Sequence, residues 1–263
     1  MTIKPKHLVV NLLLAAQKPV STQVVVTVCE LFGITENNAR VTLARLTAES
    51  LLKTAGRGFY QLGDGAVDLA AEMSQWRTRE ELVCQWKGDW VAVYIGALGR
   101  TDRTGLRRRL RVLQLAGFEA LEQDLWIRPN NLNGSVAEQR RRLYRLGLEE
   151  SSRVMGLKDF SSKEQVQAQQ LWNIDQLHER YQRETQEMLD WMSAAQQLSV
   201  EDAVRQSFLM GDRVLRNIAY DPLLPCEMID VDARVHYLKT MIEYDRCGNG
   251  FFEKIYRRLG VVN

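Results

Sequence analysis

The amino-acid sequence predicts an α+β protein laid out in three consecutive parts. Three observations predict it. Residues 1–63 carry short helical periodicities followed by a glycine-flanked hairpin signal. Residues 88–160 alternate β-branched runs with amphipathic stretches, and from residue 161 onward only the helical period remains. Apolar residues make up 45 % of the 263, which excludes wholesale disorder.

The first part opens with a helix over Lys6 to Ala16, where Leu8, Leu12 and Ala15 share a face and Lys18-Pro19 follows as a stop. Ser21 is an N-cap for a second helix that ends at Leu31-Phe32-Gly33. Val24-Val25-Val26 favours strand on propensity. Helix is nevertheless expected, because Val25, Val28 and Phe32 fall on one side. Gly33-Ile34-Thr35 is a tight turn, and Thr35 caps a third helix with a buried stripe of Ala39, Leu43 and Leu46.

At about 100° per residue, the opposite side of this third helix shows Asn37, Asn38, Val41 and Arg45, flanked by Arg40 and Thr42. In the major groove asparagine pairs with adenine, arginine with guanine, and threonine hydrogen-bonds a base edge or touches a thymine methyl. Next come a strand over Leu51 to Thr54, a tip Ala55-Gly56-Arg57-Gly58 and a return strand Phe59 to Leu62. Helix, helix, turn, helix and an arginine-tipped hairpin make the winged helix-turn-helix layout. Its candidate DNA contacts are Asn37, Asn38, Arg40, Thr42, Arg45, Lys53 and Arg57. Charge agrees. The chain nets only +2, yet residues 1–63 hold seven Lys and Arg against three Glu, a local +4.

Asp64 to Gln85 reads as a connecting helix with an apolar stripe of Ala66, Leu69, Ala70, Met73 and Trp76, either a plain linker or a dimer seam. Trp90 to Ile95 is a strand, and Leu106, Leu110, Leu113 and Ala116 mark a helix rich in arginine from Arg107 to Arg111. Two short strands follow, Gly117 to Leu121 and Leu125 to Arg128, then a helix Ser135 to Leu146 and a strand Ser152 to Leu157. The order β-α-β-β-α-β is the ferredoxin-like motif. The arginine run is a solvated face, an acid-binding patch facing another domain, or a second nucleic-acid contact.

The third part is all helix: Val166 to Met192, Asp202 to Ala219, and Val231 to Leu259 with an interruption near Gly248-Asn249-Gly250. Asp221-Pro222-Leu223-Leu224-Pro225 separates the last two. Trp172, Trp191, Phe208, Tyr220, Tyr237, Tyr244, Phe251 and Tyr256 line a pocket or, as is usual at helical spacing, a core. The expected domains are residues 1–63, a connector 64–87, a ferredoxin-like domain 88–160 and a helical effector and dimerisation domain 161–263.

No apolar run approaches the ~20 residues that span a bilayer. Leu8 to Ala16 is short, holds Asn11 and lacks a cleavage pattern, so a cytoplasmic protein without a membrane partner is expected. Cys29, Cys84, Cys226 and Cys247 form no close pair, and His7, His178 and His236 are scattered, so neither a metal nor a cofactor is expected. No GxSxG, phosphate loop or HExxH is present, and the chain is not expected to be an enzyme.

Spread along the chain are Asn38-Ala39-Arg40, Arg45-Leu46, Gly56-Arg57-Gly58-Phe59-Tyr60-Gln61-Leu62, Trp86 and Trp90. Leu106 to Leu110, Gly117-Phe118, Leu125-Trp126-Ile127-Arg128-Pro129 and Asp221-Pro222-Leu223-Leu224-Pro225 complete the set. In these residues the chain resembles the PaaX-like family, repressors of phenylacetic-acid catabolism. The resemblance implies a winged helix, a ferredoxin-like domain similar to that of small CRISPR-associated nucleases, and a helical C-terminal domain. It implies a homodimer on a palindromic operator, released by an aryl-acyl-CoA thioester such as phenylacetyl-CoA, with Asn38, Arg40, Arg45 and Arg57 on the DNA side. Cys226-Glu227-Met228-Ile229-Asp230 stands where the family has a Trp-Pro-Gly-like stretch, so another aromatic acid or its thioester stays open as the effector. Arg213 and Arg216 are candidate effector contacts, because guanidinium groups grip phosphate in bidentate fashion.

Two other readings are distinguishable. A metal-dependent nuclease needs a carboxylate near the end of the first ferredoxin-like strand. Val93 to Leu98 holds no acid, and Asp102 is the nearest. A DNA-binding module controlled by a protein partner would respond to no thioester.

Overall fold

A computed structural model of the chain describes residues 4–16, 18–64, 75–99 and 101–260; the side chains of Ala15 and Gln75 lie outside the description. Helix and strand are mixed, and the two sheets are antiparallel throughout. The chain divides into two compact units. The first holds Met1–Arg77, Gln186–Val214 and Lys239–Asn263, and the second holds Thr78–Thr185 and Leu215–Leu238. Residues of the C-terminal helical segment are thus shared between both units. Among the described residues, no helix is long and apolar enough to cross a membrane.

The first unit begins with α1 (Pro5–Ala16), β1 (Val20–Ser21), α2 (Thr22–Glu30), α3 (Glu36–Ala48), β2 (Leu52–Thr54) and β3 (Phe59–Leu62). The expected caps are in place. Ser21 Oγ accepts from Val24 N at 3.3 Å and Thr35 Oγ1 accepts from Asn38 N at 3.4 Å. The three valines are helical because Val25 and Val26 are buried against the helices, and burial outweighs a weak strand preference. Val20–Ser21 is a strand the sequence did not signal. Two residues carry no period, and they pair with Tyr60 and Phe59 to complete a sheet of order β1-β3-β2.

Residues 65–74 of the predicted connecting helix, with Ala66, Leu69, Ala70 and Met73, fall outside the described residues. Its end, Gln75–Leu82, is a 3₁₀ helix rather than an α-helix, and Trp76 there is buried.

The second unit holds β4 (Trp90–Tyr94), α4 (Arg103–Leu115), β5 (Glu119–Glu122), β6 (Leu125–Pro129), α5 (Val136–Arg145) and β7 (Arg153–Leu157), with strand order β5-β6-β4-β7. Val91, Val93 and Ile95 alternate onto one face and meet Val112 and Leu113 of α4 and Leu143 of α5, so both helices cover the same side. On the other face Trp90 is fully buried. Its indole stacks on Trp172 at 6.1 Å and donates to Gln165 Oε1 at 3.0 Å.

The helices that follow are α6 (Ser162–Gln169), α7 (Ile174–Ala194), α8 (Val200–Ala219) and α9 (Val231–Arg258). Two expectations are corrected. The stretch from Val166 to Met192 is two helices, because Asn173 Oδ1 takes the amide of Gln176 and starts the second. The last helix runs unbroken through Gly248-Asn249-Gly250. A Cβ on Gly248 would stand 3.2 Å from Ser207 Cβ, so this glycine is where α9 and α8 approach closely.

The aromatic residues are mainly core: Trp191 packs on Tyr244 at 4.8 Å in the first unit, and Tyr181 on Tyr237 at 5.2 Å in the second. Tyr220 is the exposed exception.

Asp221-Pro222-Leu223-Leu224-Pro225 is strapped down by side chains of the second unit. Arg79 donates to the carbonyls of Ala219 and Asp221, Arg128 to Pro222, Asn131 to Leu223 and Arg234 to Leu224. Burial and the nearby Arg142, Arg79 and Arg234 push the Arg128 guanidinium down to about 9, still a cation at neutral pH. It is held by four oxygens: Ala116 O, Pro129 O, Pro222 O and Asn131 Oδ1.

Candidate nucleic-acid interface

Helix α3 buries Ala39, Leu43 and Leu46 and exposes Asn37, Asn38, Arg40, Val41 and Arg45. Thr42 is a correction. It is 3 % exposed, so it cannot join a groove-facing set. It stands three residues after Ala39 and four before Leu46, which turns it toward the packed side. Val41, 57 % exposed in the middle of the polar face, was seen in the sequence but left out of the candidate contacts.

The α3 arginines are held lightly. Arg40 Nε donates to Glu36 Oε1 at 2.8 Å, and Arg45 stands 3.9 Å from Glu49. Glu49 also takes Lys6 at 2.9 Å, and this hydrogen bond holds its carboxyl below the ordinary range. Exposed pairs of this kind stabilise by only ~0–1 kcal/mol. Phosphate or base edges can therefore displace them cheaply.

The hairpin adjoins α3, which packs against β2. Lys53 projects from β2 and pairs with Asp64 at 3.2 Å. Arg57 sits at the tip between Gly56 (φ 124°) and Gly58 (φ 75°), and it makes no hydrogen bond or ion pair among the described residues. The tip is anchored nonetheless. Gly58 O accepts from Thr22 N at 2.8 Å and from Thr22 Oγ1 at 3.0 Å. Phe59, 45 % exposed beside Arg57, adds an apolar group that sequence reasoning missed. Its place after a glycine was the available signal.

Arg213 and Arg216 stand three residues apart on α8, as neighbours on one helix surface; Arg213 pairs with Glu187, and Arg216 is exposed in the last turn. Asp102 lies past the end of β4 and is the N-cap of α4. Its carboxylate accepts from Thr104 N and Gly105 N, both at 3.0 Å, and these bonds hold its pKa below the ordinary value. Among the described residues, no group of three or more His, Cys, Asp or Glu side chains is arranged to hold a metal ion.

No family model matches the chain, and no curated protein matches it. Among solved structures it is similar to an uncharacterized protein, Rv0674, from Mycobacterium tuberculosis. The TM-score is 0.61 at 21 % identity, over 94 % of this chain and 98 % of the other. At that identity the likeness is one of fold.

Proposed function

We propose that the protein is a DNA-binding transcriptional regulator that grips duplex DNA with α3 and the β2–β3 hairpin as a winged helix-turn-helix. The observation that carries the reading is the exposed amide and arginine face of α3 beside a hairpin whose tip arginine has no partner among the described residues. In this reading Asn37, Asn38 and Arg45 meet base edges in the major groove, Arg40 and Lys53 meet phosphates, and Arg57 enters the minor groove or meets a phosphate. The order α1-α2-α3-β2-β3 and the small antiparallel sheet support it. The ferredoxin-like reading of the middle segment is supported by its β-α-β-β-α-β order and by the neighbour order β5-β6-β4-β7.

The resemblance to PaaX-like repressors extends the proposal to a cytoplasmic homodimer on a palindromic operator of an aromatic-acid catabolic operon. Its half-sites would lie ~34–36 Å apart or a multiple of that. An aryl-acyl-CoA such as phenylacetyl-CoA would release it by binding the DNA-incompetent arrangement more tightly. The nuclease reading is the weaker one, because the carboxylate it requires, Asp102, is already engaged by two backbone amides.

The test is selection of fragmented genomic DNA by the pure full chain, followed by footprinting of what is enriched. Enrichment of a palindrome, with its loss on adding phenylacetyl-CoA, is expected. Fragments recovered in proportion to input would overturn the DNA-reading proposal. Enrichment that is indifferent to every thioester would transfer control to a protein partner.

A further inference from the structure

We infer that the α4–α5 layer of the second unit is a separate binding surface for the phosphodiester backbone of duplex DNA. The inference goes beyond the α3 and hairpin reading and does not rest on it. It follows from what the structure does with the arginine run of α4.

Both helices cover one face of the four-stranded sheet through Val112, Leu113 and Leu143. Their outer sides expose Arg103, Arg107, Arg108 and Arg111 on α4 and Arg141 and Arg145 on α5. One arginine of the run is structural. Arg109 is 4 % exposed and donates to Glu149 at 3.0 Å and to Gly99 O at 2.9 Å. Glu149 also serves Arg108 at 3.1 Å.

Helix α4 contains no acid at all. On α5 the acid is Glu138, whose carboxylate takes the amide and hydroxyl of Ser135 and lies 3.8 Å from Arg141. Arg103, Arg107, Arg111 and Arg145 make no hydrogen bond or ion pair among the described residues.

Arg103, Arg107 and Arg111 fall at i, i+4 and i+8. They form one row along the helix with steps of about 6 Å. Stability does not account for this row. Like charges at i, i+4 destabilise a helix. A cation in the first turn also opposes the helix dipole, and α4 has arginine there and none in its last turn.

A row of unneutralised guanidinium groups is the complement of a polyanion, and guanidinium binds phosphate in bidentate fashion. The one side-chain amide of α4, exposed Gln114, lies past the last arginine, and Leu106 and Leu110 beside the row are half-buried, so the row itself has neither base readers between its arginines nor an apolar anchor for a protein partner. Contact there is therefore independent of sequence.

The experiment uses the full chain carrying Arg103→Gln, Arg107→Gln and Arg111→Gln together, beside the wild type and an Arg45→Ala/Arg57→Ala variant. A fluorescein-labelled duplex of random sequence is titrated at several salt concentrations, and far-ultraviolet circular dichroism checks that α4 is retained. Each phosphate contact steepens the plot of log K against log salt by ~0.9. The glutamine variant is therefore expected to flatten that slope by about two to three. Replacing the same three residues by lysine should restore most of it. Unchanged slope and affinity in a folded glutamine variant overturns the inference. If the glutamine variant flattens the slope and the selection above yields no enriched sequence, the α3 reading fails and this one stands; the opposite pattern leaves α3 as the DNA surface and removes the α4 row.

Discussion

Thr22 donates twice to the carbonyl of Gly58, through its backbone N–H at 2.8 Å and its hydroxyl at 3.0 Å. The first residue of α2 thereby fixes the far side of the hairpin turn. An exposed arginine at a glycine-flanked tip would otherwise lose binding energy to the entropy of ordering the tip. Thr22→Val keeps the volume and removes the hydroxyl donor. It should lower stability by about 0.5–1.5 kcal/mol and weaken DNA binding several-fold with sequence preference intact. Thermal melts and anisotropy titrations read both. A variant as stable and as tight as wild type would show that the hydroxyl contributes nothing.

Gly248 and Gly250 lie two residues apart in α9 and should respond to alanine in opposite ways. A Cβ at Gly250 meets nothing within 4 Å, and one at Gly248 meets Ser207 Cβ at 3.2 Å. Gly250→Ala should stabilise by about 0.5–1 kcal/mol through helix propensity alone. Gly248→Ala should lower the melting temperature, because the gain is offset by displaced packing against α8. Equal shifts in the two variants would contradict the close approach.

Burial, helped by Glu30, pushes the Cys29 thiol up to about 11 from its ordinary value near 9. In that interval the folded chain keeps a proton that the unfolded chain gives up, so stability falls as pH rises from about 9 to about 11. Urea midpoints should show the decline in the wild type and a shallower one in Cys29→Ala. At pH 8 a thiol reagent should label exposed Cys226 at once and Cys29 only on unfolding. Rapid native labelling of Cys29 would contradict its burial.

Removing Arg128 should be costly. Arg128→Met leaves the carbonyls of Ala116 and Pro222 without this donor in a buried site. At about 1–3 kcal/mol for each buried acceptor left without a donor, a loss of several kcal/mol is expected. The exposed Arg108→Gln serves as the control and should lose no more than ~1 kcal/mol. Comparable urea midpoints for the two variants would rule out the strap as a stabilising element of the second unit.

Much of the candidate site was legible in the sequence because its signals are local. Thr35 before an apolar stripe marks the start of α3, and Gly56-Arg57-Gly58 between short β-prone runs marks a turn. What was not legible depends on partners far along the chain. Arg109 reads as one of a run yet turns inward to Glu149, 40 residues later. Arg128 finds Pro222 across 94 residues, and no periodicity reports a contact of that kind. The unbroken α9 shows the same limit. Glycine normally lowers helix propensity, but at Gly248 the close neighbour Ser207 decides.

The most direct test of the central claim is a base-by-base affinity measurement with Arg45→Ala. On the duplex selected by the wild type, each base pair is replaced in turn and binding is measured for both proteins. A bidentate arginine contact predicts that replacing one particular G·C pair costs the wild type about 1–3 kcal/mol. That penalty should vanish in Arg45→Ala, with all other penalties kept. If every wild-type penalty survives in Arg45→Ala at unchanged overall affinity, α3 does not read the groove through this face.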